Sequence, residues 1–298
     1  MCSLAKVGRL RRISIRAETF QQTNTYVYER YLRKLQPKET DVTMTLRIHA
    51  AVANLRPAPN TTLAPLEKLP AGHPVEPLGP AQGNWRPCRA TVDGIALDGF
   101  IHVSLLREEI NPMVDRLIEL VGREFRFFKF GEQFEQHPLS QERIKSYWLS
   151  FQNTAEPVSV AWSAAFISHC MKKTNLNLSF KFTGRHTTYL SDSKTAKLNN
   201  DASRAYWAVK LGERVVKVGD LVGAFRTNTT CGFAVKTYDS LPGDFCSHVD
   251  VVVAVRSDVA FVIGGNVGNT VMFNEIPLTP AGRVRAGGKR ITTMARNF

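Results

Sequence analysis

The sequence predicts an α+β protein, and three observations lead to that fold class. Between Thr43 and about Arg107, short alternating runs are broken by Pro, Gly and Asn, which is typical of a small all-β unit. Apolar residues then recur at helical spacing over residues 113–131, and a second helical stretch follows in QERIKSYWLSF. Strand-like runs come last, in VGDLVGAFR, HVDVVVAVR and VAFVIGGNV. Helices followed by an antiparallel sheet indicate an α+β domain.

Length and composition are those of a protein with a proper core. The chain has 298 residues, of which 43% are hydrophobic, and should hold one large domain or two modest ones. The longest apolar candidate for a membrane span, VDVVVAVRSDVAFVIGG, is interrupted by Asp250, Arg256 and Asp258. The basic start, MCSLAKVGRLRRISIR, lacks the apolar stretch of a signal peptide. We therefore expect a protein made in the cytoplasm, exported, if at all, by a dedicated system.

Cysteine usage favours free thiols. The five cysteines form no C-x-x-C pair and show no regular spacing, so a reducing compartment is expected. Cys170 is expected in the core and Cys246 as an ordinary buried thiol.

The net charge of +13 is concentrated at the two ends of the chain. Residues 1–42 hold nine Lys and Arg against four acids, and residues 281–298 hold five with no acid. Such segments are either solvated tails or contacts for an anionic partner such as a cell-wall polymer or a membrane surface. Neither segment interleaves aromatic and basic residues, so nucleic acid ranks last. A short helix is predicted around NTYVYERYLRKL.

The region 43–110 resembles the bacterial SH3-like domain. Its Asn/Leu-Arg segment, Gly turn, Trp strand and closing Gly-aromatic-Ile pattern are carried by Asn54, Leu55, Arg56, Leu69, Gly72, Trp85, Gly99, Phe100, Ile101 and Leu105. Phe100 replaces the usual tryptophan, and Pro87 is expected to interrupt the strand after Trp85. The resemblance implies a small β-barrel, which either binds cell-wall peptides or serves only a structural purpose.

The residue types needed for nucleophilic catalysis occur in a suggestive order. Ser163 opens a helix-forming run, where it is either a simple N-cap or a nucleophile beside unpaired N–H donors. His248 begins one predicted strand, and Asn266 ends the next. Because antiparallel neighbours would bring these two together, we predict a Ser163–His248–Asn266 constellation.

Four short sequence motifs resemble those of papain-like cell-wall amidases and peptidases. WSAAFIS is similar to that superfamily's Trp-Cys-Ala-x-Phe-Val with serine in place of cysteine, and VGDLV, SHVDVVVAV and GGN resemble its later strands. A closer match is an uncharacterised bacterial domain family with Trp-Ser-Ala-Ala-Phe-Ile-Ser, His-x-Asp and Gly-Gly-Asn-Val. The resemblance spans about residues 114–275 and implies a papain-like domain over 111–298, ending in a basic C-terminal tail.

Several further residues are candidates for supporting or substrate-binding roles. Trp162 precedes the nucleophile, and His186 with Tyr189 matches a His-x-x-Tyr of the closer family, either lining the cleft or lying on a helix surface. Asp250 either shares the site or pairs with Arg226. His248 and Asp250 also resemble the first two ligands of an iron triad, but no later histidine follows, so neither metal nor cofactor is expected.

These features predict a hydrolase acting on amide bonds of peptidoglycan peptides. Two alternatives stay open: a catalytically silent module that binds cell-wall peptides, and an antibacterial effector that travels with a delivery or immunity partner. The hydrolase and the silent module differ in whether Ser163, in the usual cysteine position, acts as a nucleophile. This is open because a hydroxyl is harder to deprotonate than a thiol.

Overall fold

The computed structural model describes residues 44–298. It contains a mixed architecture of helices and antiparallel sheets. The basic segment 1–42 and the helix predicted near residues 24–35 lie outside the described residues. Along residues 44–298, none of the helices has the length and apolar character needed to cross a membrane.

The first seven strands build the small all-β unit. They are β1 Leu46–Ile48, β2 Val52–Leu55, β3 Glu67–Pro70, β4 Pro74–Pro77, β5 Trp85–Val92, β6 Ile95–His102 and β7 Leu106–Glu108. Five of them pair in the order β6-β5-β4-β1-β7, and β2 pairs with β3. Their inward side chains, including Ile48, Leu55 and Ile101, form a separate apolar core. A Cβ at Gly99 would lie 2.6 Å from the Arg56 carbonyl oxygen, so glycine is required where β2 and β6 approach.

The expectation that Pro87 interrupts a strand was wrong. Strand β5 runs through this position, where Pro87 lies opposite Phe100 on β6. The Pro87 carbonyl still accepts a hydrogen bond from the Leu78 N–H at 2.9 Å. Proline lacks only the donor, so a strand whose neighbour is ending tolerates it.

Four α-helices follow within the described residues. They are α1 Pro112–Phe127, α2 Pro138–Leu149, α3 Ser163–Thr174 and α4 His186–Leu198. The Asn111 side chain accepts from the Val114 N–H at 2.9 Å, so α1 starts at a regular N-cap with proline at its first position. The helices predicted over 113–131, over 141–151 and from Ser163 onward are present, but the first ends at Phe127 rather than at Gly131. Helix α4 lies in a polar stretch for which the sequence predicted no regular structure.

The last six strands form one antiparallel sheet in the order β12-β11-β10-β9-β13-β8. They are β8 Tyr206–Lys210, β9 Leu221–Phe225, β10 Ser247–Val255, β11 Val259–Val267, β12 Thr270–Pro277 and β13 Arg290–Arg296. The predicted strands correspond to β9, β10 and β11, and β10 pairs with β11 with Val251 opposite Ile263.

The C-terminal segment is not the free basic tail that its composition suggested. Strand β13 lies between β9 and β8, inside the sheet. Its residues Ile291 to Ala295 are all buried, with Met294 fully so. The basic side chains lie at the two ends of the strand, Arg290 and Arg296, and in the segment before it, so local charge counts misjudge an interior strand.

Helices α1 and α2 are joined by a buried ion pair that also involves a tyrosine. The carboxylate of Glu124 on α1 accepts hydrogen bonds from the Arg143 guanidinium and, at 2.6 Å, from the Tyr147 hydroxyl, both on α2. Burial, followed by the nearby Glu124 charge, raises the pKa of Tyr147 well above its usual value, so its hydroxyl stays a donor. The Tyr147 ring then packs 5.7 Å from Phe166 of α3, centroid to centroid. The pair thereby holds the surface on which α3 rests.

We expect Glu124→Ala to lower the free energy of unfolding by about 3 kcal/mol, because it leaves a partly buried guanidinium and a buried hydroxyl without their acceptor. Urea denaturation at neutral pH measures the change. Glu142→Ala is the control, since Glu142 is exposed on α2 and its carboxylate comes no closer than 4.0 Å to the Lys145 ammonium, which makes a weak ion pair. A loss for Glu124→Ala as small as that of the control would contradict the structural role of the cluster.

Candidate active site

Ser163 is the first residue of α3, and the tryptophan before it fixes that end of the helix. Trp162 is fully buried, and its indole N–H donates to Glu135 Oε2 at 2.8 Å. Its ring stacks on Phe128 with centroids 5.8 Å apart. Trp162 therefore supports the site from beneath and does not line it. The first N–H groups of α3 have no acceptor within the helix, so the Ser163 hydroxyl lies beside free donors and the positive end of the helix dipole.

The hydrogen-bond partner of Ser163 is His186, the first residue of α4. Ser163 Oγ lies 2.7 Å from His186 Nε2, and both residues are buried. The other ring nitrogen, Nδ1, is hydrogen-bonded to the hydroxyl of Tyr189, which lies three residues further along the same helix. The three side chains thus form a buried hydroxyl–imidazole–phenol chain.

His248, which was predicted to contact Ser163, belongs to a second hydrogen-bonded pair. Its Nε2 lies 2.7 Å from Asp250 Oδ1, two residues away on β10, where alternate residues share a face of the strand. The ring of His248 is edge-on to that of His186, with centroids 5.5 Å apart. His248 Nδ1 is buried without a hydrogen-bond partner among the described residues. The contact predicted for His248 is therefore made by His186, against whose ring His248 packs without a hydrogen bond.

Two adjacent glycines on β11 make room for both halves of this site. A Cβ at Gly264 would lie 1.8 Å from Asp250 Oδ1 and 3.0 Å from His248 Nε2. A Cβ at Gly265 would lie 2.5 Å from Phe166 Cβ and 2.9 Å from the Trp162 ring. The Gly-Gly pair of the GGN word is thus explained by space: one glycine faces the histidine–aspartate pair and the other faces α3.

Asn266 and Arg226 differ from their predicted contacts. Asn266 lines the same cleft as Ser163, with a left-handed φ of 56°, which asparagine adopts more readily than most residues. His248 Nε2–H donates its orienting hydrogen bond to Asp250 instead, and no hydrogen bond between Asn266 and His248 is present in the described structure. Asp250 does not pair with Arg226 either, so of its two predicted alternatives the shared site is the one observed.

The site opens into a cleft of about 710 Å³. Its walls are about equally polar and apolar and come from the start of α3, the start of α4, the segment after β9 and the turn after β11. The lining residues that bear on the argument are Ser163, His186, Arg185, Arg226, Asp244 and Asn266. A cavity of this size admits a short peptide segment or a compact ligand.

Burial determines the protonation states of the site. Desolvation, helped by the nearby His248 and Arg226, lowers the pKa of His186 well below its usual value, so the imidazole is neutral at pH 7. Desolvation, then the Asp250 charge, raises the pKa of Tyr189, so the phenol keeps its proton. Desolvation likewise raises the pKa of Cys170, which is fully buried and, as predicted, is a core residue.

The prediction of five free thiols was wrong for two cysteines. Cys231 and Cys246 form a disulfide, with Cα atoms 5.6 Å apart, and both residues line the cleft. Cys88 and Cys170 are buried free thiols. The two bonded cysteines are 15 positions apart in the sequence, and no short motif predicts a disulfide between them. The inference of a reducing compartment loses its basis in cysteine usage.

Metal binding has no candidate cluster in the part of the chain that the structure describes. Among residues 44–298, no group of three or more His, Cys, Asp or Glu side chains converges as a metal site would require. In the His248–Asp250 pair, His248 Nε2 and Asp250 Oδ1 are hydrogen-bonded to each other and do not face a shared metal position.

Comparison with known proteins supplies one family. The family described as "Uncharacterized protein conserved in bacteria (DUF2272)" matches residues 135–297, more than half of the chain. No curated protein matches the sequence. Among solved structures, NlpC2 from Trichomonas vaginalis is 11% identical, with 85% of this chain and 73% of that chain covered at a TM-score of 0.28. NlpC1 from the same organism is 14% identical, with coverage of 85% and 69% and a TM-score of 0.28. Superpositions at this score carry no argument about the fold.

We expect Gly264→Ala to lower the free energy of unfolding by about 1–3 kcal/mol, because the new methyl group must displace Asp250 and His248 from a packed position. Thermal and urea denaturation measure the effect. Gly79→Ala is the matched control, since a Cβ there meets nothing closer than 3.8 Å. Equal stability of the two variants would mean that the close packing of Gly264 is not as described.

Proposed function

The chain belongs to the DUF2272 family of uncharacterised bacterial proteins, and for this member we propose hydrolysis of an amide bond in a cell-wall peptide. Ser163 is the nucleophile and His186 its general base. The observation that carries the proposal is the 2.7 Å contact between Ser163 Oγ and His186 Nε2 at a helix start, inside a cleft open to solvent. A nucleophile, a base within hydrogen-bond reach and a third group that orients the base are the parts that acyl transfer needs.

The reaction would proceed in two halves. In the first, Ser163 Oγ attacks the amide carbon while its proton passes to His186 Nε2, and the oxyanion lies against the free N–H groups at the start of α3. The tetrahedral species collapses as the C–N bond breaks, and His186 returns the proton to the leaving amine. In the second half, water attacks the acyl-serine with His186 again as base, which releases a carboxylic acid and restores Ser163.

The orientation of His186 depends on Tyr189. A base requires the tautomer in which Nδ1–H donates to the Tyr189 oxygen, because only then does Nε2 carry the free lone pair that faces Ser163. His248, hydrogen-bonded to Asp250, lies beside the His186 ring. Burial, with the nearby His248 and Arg226, lowers the His186 pKa, so the arrangement supports a proton acceptor that is neutral at rest.

The cell-wall substrate and the domain assignments are part of the same proposal. They rest on the WSAAFIS, VGDLV, SHVDVVVAV and GGN words, which resemble papain-like cell-wall amidases, and on the small all-β unit before them. We propose that residues 43–110 are an SH3-like domain that holds the enzyme on its polymer, and that residues 111–298 are a papain-like hydrolase domain.

A silent binding module is the second candidate, and one observation favours it. If the buried phenol of Tyr189 donates to Nδ1, then Nε2–H donates to Ser163 Oγ, and the imidazole has no lone pair for the serine proton. Ser163 would then be a fixed hydrogen-bonding group of a peptide-binding cleft. The two candidates share every atom and differ in the position of one proton.

Variants of the site should separate the two candidates. We expect Ser163→Ala and His186→Gln each to reduce release of peptide fragments from purified peptidoglycan by about a thousandfold or more, while binding to the polymer survives. Tyr189→Phe should reduce it about tenfold, because one hydrogen bond that holds the active tautomer is lost. A gain of activity in Tyr189→Phe would instead mean that Tyr189 holds the inactive tautomer.

Two controls keep this experiment decisive. His248→Gln tests the base predicted from sequence: a loss as large as that of His186→Gln, with His186→Gln retaining activity, would transfer the role to His248. Ser163→Cys should react with iodoacetamide faster than Cys170, because a thiol beside an imidazole ionises readily whereas burial raises the pKa of Cys170. No fragment release by the native protein under any of these conditions would sink the hydrolase proposal.

The pH dependence follows from the lowered pKa of His186. A base whose folded pKa lies below the usual value of about 6.5 stays unprotonated to lower pH. We expect the acid limb of kcat/KM to lie below pH 6.5, with no loss of rate between pH 7.5 and 6.5. A limb centred at or above pH 6.5 would contradict the assignment of His186 as the base.

A further inference from the structure

The charged side chains that line the cleft are unevenly paired. Arg185 and Asp244 form an ion pair, with Nη1 to Oδ2 at 2.6 Å. Arg226 lines the same cleft and is exposed, but its guanidinium makes no hydrogen bond or ion pair with any residue that the structure describes. The wall around Ser163 and His186 therefore carries one positive charge that no residue within 44–298 pairs with.

The backbone of Arg226 is held in place although its side chain has no partner in the described part of the chain. Its N–H donates to the Cys246 carbonyl at 2.7 Å, directly beyond the last pair of β9 and β10, Phe225 with Ser247. The Cys231–Cys246 disulfide closes the loop at the same point. An arginine whose backbone is hydrogen-bonded at the end of a sheet has a better-defined position for recognising a ligand than one on a free loop.

Arg226 also lies close enough to the reacting groups to influence them. Its charge is among the causes that lower the pKa of His186, after burial and the neighbouring His248. A ligand group bound to Arg226 would consequently be a near neighbour of the bond that Ser163 attacks. Amide and hydroxyl side chains of Asn228, Thr230 and Asn269 line the same cleft and offer further hydrogen bonds.

We propose that Arg226 binds a free carboxylate of the substrate close to the scissile amide, so that the site selects peptides that carry a negative charge there. This inference rests on the proposed function. A guanidinium matches a carboxylate with two parallel hydrogen bonds, whereas a carboxamide offers one acceptor and no charge. Amidation of that carboxylate should therefore weaken binding at least tenfold, since hydrogen bonds to charged groups are the stronger class.

The test uses binding without turnover. The full chain carrying Ser163→Ala is titrated calorimetrically with two synthetic peptides, L-Ala-γ-D-Glu-L-Lys-D-Ala and the same peptide with the D-Glu α-carboxylate converted to a carboxamide. We expect the free acid to bind at least tenfold more tightly. Added Arg226→Gln should abolish the difference, and Arg226→Lys should retain part of it.

Arg116→Gln is the matched control, because this substitution removes the same charge from an exposed residue of α1 that lies outside the cleft. It should leave the preference unchanged, and thermal melts should show that Arg226→Gln is folded. Equal binding of the two peptides, no measurable binding of either, or a preference that survives Arg226→Gln would overturn the inference.

The two proposals fail in different ways. Native protein that cleaves both peptides at equal rates would retain the hydrolase function and remove the carboxylate preference. Selective binding of the free acid that depends on Arg226, without any cleavage by native protein, would retain the carboxylate site and remove the hydrolase function.

Discussion

The geometry of the site depends on how closely β11 approaches its neighbours at Gly264 and Gly265. The first glycine leaves room for the hydrogen-bonded His248 and Asp250, and the second lets α3 rest on the strand through Phe166. A methyl group at either position would overlap atoms of these side chains. Because protein interiors are close-packed and yield little, two missing side chains set the spacing between α3 and the sheet.

That spacing leaves two buried histidines side by side. His186 uses both ring nitrogens, on the hydroxyls of Ser163 and Tyr189, whereas His248 uses one, on the Asp250 carboxylate. A neutral imidazole is the form that burial favours, and it is also the form that can accept a proton from a serine hydroxyl. The same desolvation disfavours the protonated form of His186.

The cleft is shaped by a loop that the sheet alone would not hold. Strand β9 ends at Phe225 and β10 begins at Ser247, and the disulfide ties the intervening segment back to that end of the sheet. Arg185 and Asp244 line the cleft and form an ion pair. Among the described residues, Arg226 is therefore the charged group of the cleft without a partner, beside the uncharged Ser163 hydroxyl.

The local sequence determined the helix that starts at Ser163, the β10–β11 hairpin and the buried position of Cys170, because small apolar runs, alternation and turn residues act over a few neighbours. It also indicated Ser163, His186, Tyr189, His248 and Asp250 as members of one region, although it assigned the base to His248. Only the tertiary structure decided that His186, 23 residues from Ser163, makes the contact, that Cys231 bonds Cys246, and that β13 lies inside the sheet. Those pairings join residues far apart in the chain, and they are fixed by how helices and strands pack together, which no local pattern encodes.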